Sequence, residues 1–550
     1  MDTIEPRMRW WGWGEDGHDG PVKPGAKKML AATCGWPASV NLPPVELADV
    51  QLPEAELSAD ARVRFEALLG AEYVRDDHAT RVSHSAGRSV PDLLRLRSGE
   101  VPFAPDAVLY PASEMEVDEL LTICQDERIA VVPFGGGTSV VAGIDAFRQD
   151  FSSCVCISLA RLDEILDIDE ESLTATVQAG VFGPDLEKKL QAKGLTLGHF
   201  PQSFEFSTVG GWVATRSAGQ QSTGYGRIDE NVFGLRASTP SGRITLRSTP
   251  ATAAGPNPRQ LLVGSEGTLG IITQATLRIK RVPEVALPDA WFFPDFHSGA
   301  TALREIEQSG VRPDIARLSD LNETEFGLAQ LGSDIQRKGL LAYLRARGVT
   351  TPCMLVLRYD GRKSEARSRR AAGRAIARKN KGVTMGGSPE TAWEKHRFST
   401  PYLRDQLMTD GVMVETMETA APWSRIESLH DTIKQDIEKS LADRGTPALV
   451  LCHISHLYSA GCSLYYTVFA KRQQGQEMEQ WKAVKTAAGN AMVNNGGTIT
   501  HHHATGADHA PWLPQETGEL WVRMLRAAKA EVDPEGIMNP GKLMNGPEAL

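Results

Sequence analysis

Apolar residues recur along this chain with two periods, and the changes between them lay out its elements. Ile129-Ala130-Val131-Val132 is an unbroken apolar run that predicts a short buried strand. Cys154-Val155-Cys156-Ile157-Ser158-Leu159 predicts another, with Cys154 and Cys156 on one side. Residues 173–180 and 269–280 alternate apolar and polar positions, as half-buried strands do. Helical spacing sets Val117, Leu120, Leu121 and Cys124 on one face of 116–128. Two more helices are predicted over 58–69 and over 182–193, the latter ending at the capping residue Gly194. From about residue 284 the texture changes: Trp291-Phe292-Phe293 precedes a helix near 300–308, and strands and helices alternate to about 500. Within that region, 452–466 reads as strand, glycine turn and strand, so Tyr465 and Tyr466 face opposite ways and one reaches a central cavity. A last helix is predicted over 520–533.

Composition adds bounds. A chain of 550 residues exceeds one ordinary core and suggests about three or four domains. Its 41% hydrophobic and 23% charged residues suit a soluble globular protein, and a net charge of -10 argues against a nucleic-acid partner. Seven cysteines without a metal-type Cys-x-x-Cys pair read as reduced packing residues. Without a signal-peptide core in residues 1–30 or a bilayer-length apolar run, a cytoplasmic location is expected.

Candidate chemistry begins at Pro133-Phe134-Gly135-Gly136-Gly137-Thr138-Ser139, directly after the first strand. Three glycines remove every Cβ from the turn, so backbone N–H groups can point at an anion such as a diphosphate. Alone this could be a plain tight turn. Two further small-residue loops change the weighting: Gln202-Ser203-Phe204-Glu205-Phe206-Ser207-Thr208-Val209-Gly210-Gly211, continuing to Thr215-Arg216-Ser217, and Glu266-Gly267-Thr268-Leu269-Gly270-Ile271-Ile272.

In order and spacing, and with the lead-in Phe103-Ala104-Pro105-Asp106, these loops resemble the FAD-binding domain of the vanillyl-alcohol oxidase and p-cresol methylhydroxylase flavoproteins. No Gly-x-Gly-x-x-Gly Rossmann fingerprint is present. The resemblance implies an α+β fold: an N-terminal arm and helical region (1–98), a two-subdomain FAD-binding domain (99–283), an α+β cap with an antiparallel sheet (284–519), and a C-terminal helix and tail returning to the flavin (520–550). The residues named in the three loops are the implied cofactor contacts. Some relatives tether FAD through a histidine in the first loop; this one has none, so non-covalent FAD is expected.

His501-His502-His503 follows Gly496-Gly497. If extended, it would place His501 and His503 on one side and His502 on the other. A surface loop, a satisfied core histidine and a metal ligand are alternative readings, though consecutive residues make poor facial ligands. Tyrosine titrates near pH 10 and needs a cationic or donor-rich site to act as a base.

The triple histidine, together with Arg9-Trp10-Trp11-Gly12-Trp13-Gly14, Gln202–Gly211, Ala421-Pro422-Trp423 and the strand ending in Tyr465, resembles the alkylglycerone-phosphate synthase family. The resemblance implies exchange of the acyl chain of acyl-dihydroxyacetone phosphate for a long-chain fatty alcohol, in ether-lipid synthesis, without net redox. Flavin N5 would act as the nucleophile at C1. Tyr465 would take the acid/base role, His501, His502 and His503 would manage the leaving carboxylate and incoming alcohol, Arg404 would hold the phosphate, and Arg317 would support activity. Structural pairing of Arg317 with Asp320 and of Arg404 with Asp405 is the plain alternative. Gln202 stands where the family pattern has Asp. FAD-linked D-2-hydroxyacid dehydrogenases share the flavin domain and the Asn539-Pro540-Gly541-Lys542 ending, but their Gly-Glu-His-Gly run is replaced by the triple histidine. A flavin-binding protein without catalysis is the third reading. The resemblance further implies a homodimer, and lipid substrates suggest peripheral contact with the inner membrane surface. Trp10, Trp11 and Trp13, or Leu340, Leu341 and Leu344 within 335–347, would make that contact. The ending Gly546-Pro547-Glu548-Ala549-Leu550 is not a peroxisomal address.

Overall fold

Burial on both faces explains the first two apolar runs. In the computed structural model Ile129–Phe134 lies parallel to Ser153–Ser158, which lies parallel to Ala107–Leu109, with Val74–Arg75 antiparallel at the edge. Val155 and Ile157 enter the main core of this half, while Cys154 and Cys156 fill smaller clusters on the other face. The structure describes residues 4, 7–18, 20–36, 40–330 and 334–544, so the ending at 546–550 lies outside the described residues. All seven cysteines are buried free thiols.

The two alternating stretches pair with one another in a five-stranded antiparallel sheet ordered Ile165–Asp169, Thr174–Gln178, Ile271–Arg278, Val232–Thr239, Gly242–Leu246. Helices Ala59–Leu69 and Glu114–Asp126 each open on a serine, Ser58 and Ser113, whose side chain accepts a first-turn N–H.

The later half is built on a seven-stranded antiparallel sheet ordered Val383–Gly386, Val285–Phe293, Cys353–Gly361, Ile315–Ser319, Ala448–Leu457, Gly461–Lys471, Val412–Pro422. Its last three strands carry the site. The C-terminal tail then returns to the first sheet: Val131 N donates to Ile537 O at 2.8 Å, and Asn539 Nδ2 donates to Gly143 O and Glu266 O at 3.0 and 2.7 Å.

The two stretches named for surface contact are largely packed. In helix Asp334–Ala346, Leu344 is fully buried and Leu340 packs on the same cluster as Phe292, while Leu341 is half-buried. The tryptophans of the arm are likewise engaged: Trp13 is 3% exposed against Phe206, and Trp11 lies under Arg9 with its guanidinium 3.9 Å from the ring centroid. Helix Lys363–Lys379 is also less solvated than its arginines suggest, since Arg374 forks onto buried Asp289 at 2.7 and 3.0 Å. No helix among the described residues is long and apolar enough to cross a membrane.

Candidate active site

The three glycine loops converge. A Cβ on Gly135 would strike Thr208 Oγ1, and one on Gly136 would strike Phe206 O. Gly267, at φ 74°, would place its Cβ 2.8 Å from Pro133. The first loop is therefore sandwiched between the other two, with its glycines demanded by neighbouring backbone as well as by any anion. Gln202 Nε2 is buried without an acceptor while Gln202 Oε1 accepts from Gln220 Nε2 at 3.1 Å. An uncommitted buried donor beside three apposed, Cβ-poor loops fits the diphosphate and polar edge of FAD.

Several residues expected to contact the cofactor have their side chains committed elsewhere. Leu269, Ile271 and Ile272 belong to the core, as does Phe204, which stacks on Phe398. Ser203 and Ser207 bond one another, Ser207 accepts from Trp212 Nε1, and Thr208 Oγ1 caps the following helix. Thr215 Oγ1 donates to Gly211 O, Ser217 bonds His199, and Arg216 pairs with Asp229. What these positions leave free for a cofactor is therefore mainly backbone. Glu266 is the clearest correction: its oxygens accept from Thr505 N and Gly506 N at 2.8 and 2.6 Å. It ties the third flavin loop to the segment following the histidines, and burial pushes its carboxyl up to about 7.

We expect Gly136→Val to abolish flavin retention through loop separation, since its side chain meets Phe206 O before any ligand. The check is flavin in the acid-soluble fraction of purified protein, which should be stoichiometric in the wild type and missing from the variant. A Val variant with full flavin would disprove the sandwich.

The catalytic candidates line one face of the large sheet. Register places His453 opposite Tyr465, and Tyr465 opposite Glu418, on three adjacent strands. A bulge between Ile454 and Leu457 breaks the alternation, and His456 joins the same cluster. Tyr465 stacks on His453 at 4.9 Å and on His502 at 6.0 Å, and meets His503 edge-on at 5.5 Å. Tyr466 faces away and is fully buried in the cap core.

The triple histidine is a bend rather than an extended run, so its side chains do not alternate. The cause is Glu418, which the sequence did not single out. Its buried carboxylate accepts from the N–H groups of His501, His502 (3.0 Å) and His503 (2.9 Å) and from Thr500 Oγ1 (2.7 Å). Burial raises its pKa, but His503 and the backbone donors outweigh that and hold it below the ordinary value. Arg227 Nη1 grips the other side of the bend, donating to His501 O at 2.7 Å.

His501 Nε2 meets Tyr458 Oη at 2.6 Å, and His501 Nδ1 lies 2.9 Å from His502 Nδ1. His501 also stacks on His456 at 4.8 Å. Burial holds all three histidines of the run, and His456, below their usual pKa, so they are neutral at physiological pH. One ligand atom each from His456, His501 and His502 fits within 4.8 Å, a set that could hold a metal ion. The neighbouring Arg227 cation opposes one. Tyr465 is pushed by burial up to about 12, which makes it a proton donor at neutral pH.

Arg317 joins this cluster but not through Asp320. It pairs with Glu323 at 2.5 Å and lies 3.1 Å from His453 Nε2, while Asp320 pairs with Lys434. Glu323 also meets His453 Nδ1 at 3.1 Å. Burial would raise Glu323, but Arg317 and His453 bring it to about 2; burial and Arg317 keep His453 itself neutral. Arg404 lies apart from the histidines, on helix Thr400–Thr409. It donates Nη1 to Arg88 O at 2.8 Å and sits 3.6 Å from Asp405.

This arrangement, glycine loops under an antiparallel cap with an acid/base cluster on the sheet face, is the two-part architecture of FAD-binding flavoproteins with an FAD-oxidase-type C-terminal domain. Residues 105–246 match the FAD binding domain family and 283–543 match the FAD linked oxidases, C-terminal domain family. The solved structure of p-cresol methylhydroxylase with substrate bound superposes with a TM-score of 0.68 at 17% identity, covering 88% of this chain and 96% of that one. A solved alkyldihydroxyacetonephosphate synthase superposes with a TM-score of 0.84 at 29% identity, covering 97% and 99%. The alkyldihydroxyacetonephosphate synthase of Dictyostelium discoideum is 34% identical over 481 residues, 86% of this chain and 79% of its own length. The chain belongs to the alkyldihydroxyacetonephosphate synthase family, and it is an FAD-dependent enzyme.

Proposed function

We propose that the protein exchanges the acyl chain of an acyl-dihydroxyacetone phosphate for a long-chain fatty alcohol, forming an ether bond. The observation that carries this reading is the neutral histidine bend held by Glu418 against a protonated Tyr465. Such a site can give a proton at one position and take one at another, as exchange of carboxylate for alcohol requires. Bound FAD supplies the nucleophilic centre for displacement of the carboxylate, so no electron acceptor is consumed.

In this reading Tyr465 Oη moves a proton at C1 of the substrate. His502 and His503, the two imidazoles of the bend that contact the Tyr465 ring, take the hydroxyl proton of the incoming alcohol. Tyr458 orients His501 through Nε2. Arg317, paired with Glu323, polarises His453 under the tyrosine ring. Arg404 binds the phosphate as a guanidinium fork.

Flavin-loaded protein given acyl-dihydroxyacetone phosphate and labelled hexadecanol, with no electron acceptor, should incorporate label into the ether product. Failure of that exchange, with anaerobic bleaching of the flavin by a D-2-hydroxyacid, would assign the site to dehydrogenation instead.

A further inference from the structure

The N-terminal arm is built into the surroundings of Arg404. Arg9 N donates to Gly14 O at 2.8 Å and closes a tight loop. Asp405 pins that loop: its Oδ2 accepts from Trp13 N at 2.5 Å and from Arg9 Nη2 at 3.1 Å. Arg88 holds the other side, donating Nε to Gly12 O at 2.9 Å and Nη2 to Arg9 O at 3.0 Å. A Cβ at Gly12 would collide with Asp405, and one at Gly14 with the ring of Tyr402. The two glycines of the motif thus permit the arm to lie against helix Thr400–Thr409. Trp13 then meets Phe206 of the second glycine loop edge-on, with ring centroids 5.8 Å apart. Arg88 N also donates to Ser139 O of the first loop, so the arm is tied to two of the three flavin loops.

What this packing leaves unsatisfied is mostly donors, with Asp405 Oδ1 the one acceptor among them. Trp13 Nε1, Arg404 Nε and Nη2, and Arg97 Nε and Nη1 are buried without an acceptor. Asp405 Oδ1, 3.6 Å from Arg404 Nε, is too far for a hydrogen bond. Arg97 reaches the same helix, donating Nη2 to Thr409 Oγ1 at 2.6 Å, and lies over the Trp11 ring at 5.3 Å. Burial, opposed by Asp405 and reinforced by the neighbouring cations, pulls Arg88 and Arg97 down to about 10. Buried cations and N–H donors in such excess are costly unless an anion completes them. An oxyanion offering several acceptor oxygens to guanidinium forks is the matching chemistry.

We propose that Trp13 and Arg97 join Arg404 in a buried phosphoryl subsite, with the N-terminal arm as its wall. The arm is then a specificity element for a phosphomonoester substrate, and the inference rests on the reading that the substrate is one. It adds two residues that the family resemblance did not place at the phosphate.

The test is calorimetric titration of full-length, flavin-loaded protein with inorganic phosphate. Wild type should bind it saturably. Trp13→Phe removes one N–H and keeps a ring on Phe206; Arg97→Gln removes the charge. Each should weaken phosphate by tenfold or more, and Arg97→Lys should weaken it less than Arg97→Gln. Flavin absorbance and melting temperature separate folded variants from unfolded ones; should Trp13→Phe unfold, the Arg97 pair decides. Unchanged affinity in Trp13→Phe and Arg97→Gln, with loss only in Arg404→Gln, overturns the proposal. So does a wild-type holoenzyme that ignores phosphate yet incorporates labelled hexadecanol, an outcome that leaves the exchange reaction standing. A protein that binds phosphate as expected but performs no exchange supports the subsite and removes the proposed reaction.

Discussion

Tyr465→Phe should lower turnover on the order of 10²–10⁴-fold, the usual cost of losing a general acid or base, while flavin content stays at the wild-type level. The substitution removes one oxygen and keeps the ring that stacks on His453 and His502. Fold and cofactor site should survive for that reason, because the strand pairs and the glycine loops do not depend on the hydroxyl. With burial pushing Tyr465 to about 12, the hydroxyl is protonated across the working range, and its loss removes a donor rather than a phenolate base. Tyr466→Phe is the matched control. Its hydroxyl is buried against the Cys452 thiol without a well-formed hydrogen bond, so deleting it should leave turnover and stability near wild type. The measurement is label incorporation per bound flavin in the three proteins. Turnover in Tyr465→Phe within a few-fold of wild type would remove the hydroxyl from the mechanism.

The elements and the two reactive stretches were legible because each is written locally. Apolar runs, alternation and capping serines fix strands and helices within a few residues, and three glycine loops advertise close backbone approach. What those glycines approach was not legible. Gly136 faces the carbonyl of Phe206, a contact made only when two separate segments fold together. Glu266 illustrates the same gap: its place in the third loop suggested the cofactor, yet its carboxylate serves Thr505 and Gly506. Residues 335–347 show the limit of periodicity, since a helix packed on the cap sheet and one lying on lipid share the same apolar spacing. Arg317 lies beside His453, and the plain alternative of a pair with Asp320 is not formed, because Glu323 becomes its neighbour across a strand-to-helix turn and Asp320 is drawn to Lys434.

Glu418 is the residue the sequence concealed most completely. A glutamate in the stretch before Pro422, which also holds Glu415, reads as a solvent-facing strand position. One signal was available: the neighbours Val414, Met417 and Ala421 are apolar, and a charge among them asks for a partner. The partner is the backbone of the histidine bend, which reaches this strand where Thr498 N donates to Ala420 O at 3.0 Å. It also explains why the run is bent. A single carboxylate collecting three successive N–H groups forces them to point one way, which an extended chain forbids.

Glu418→Ala should therefore do more damage than removal of any one histidine. It strips the acceptor from Thr500 Oγ1 and from the N–H groups of His501, His502 and His503. Leaving one buried donor unmet costs about 1–3 kcal/mol, so a loss on the order of 3 kcal/mol or more is expected unless water enters the space. Turnover should fall by at least about 10²-fold, since misplacing catalytic groups by about 1 Å already has that effect. Glu418→Gln keeps one acceptor oxygen and should lie between Ala and wild type. The pH dependence separates this role from simple packing. The folded pKa of Glu418 lies below its ordinary value of 4.5, so its ionic contribution is complete above that pH and is lost as pH falls through the folded value. The gap in melting temperature between wild type and Glu418→Gln should accordingly be widest near neutrality and narrow in acid. A gap that stays constant with pH would mean that Glu418 acts by filling space, and wild-type turnover in Glu418→Ala would mean that the histidine bend is held by Arg227 alone.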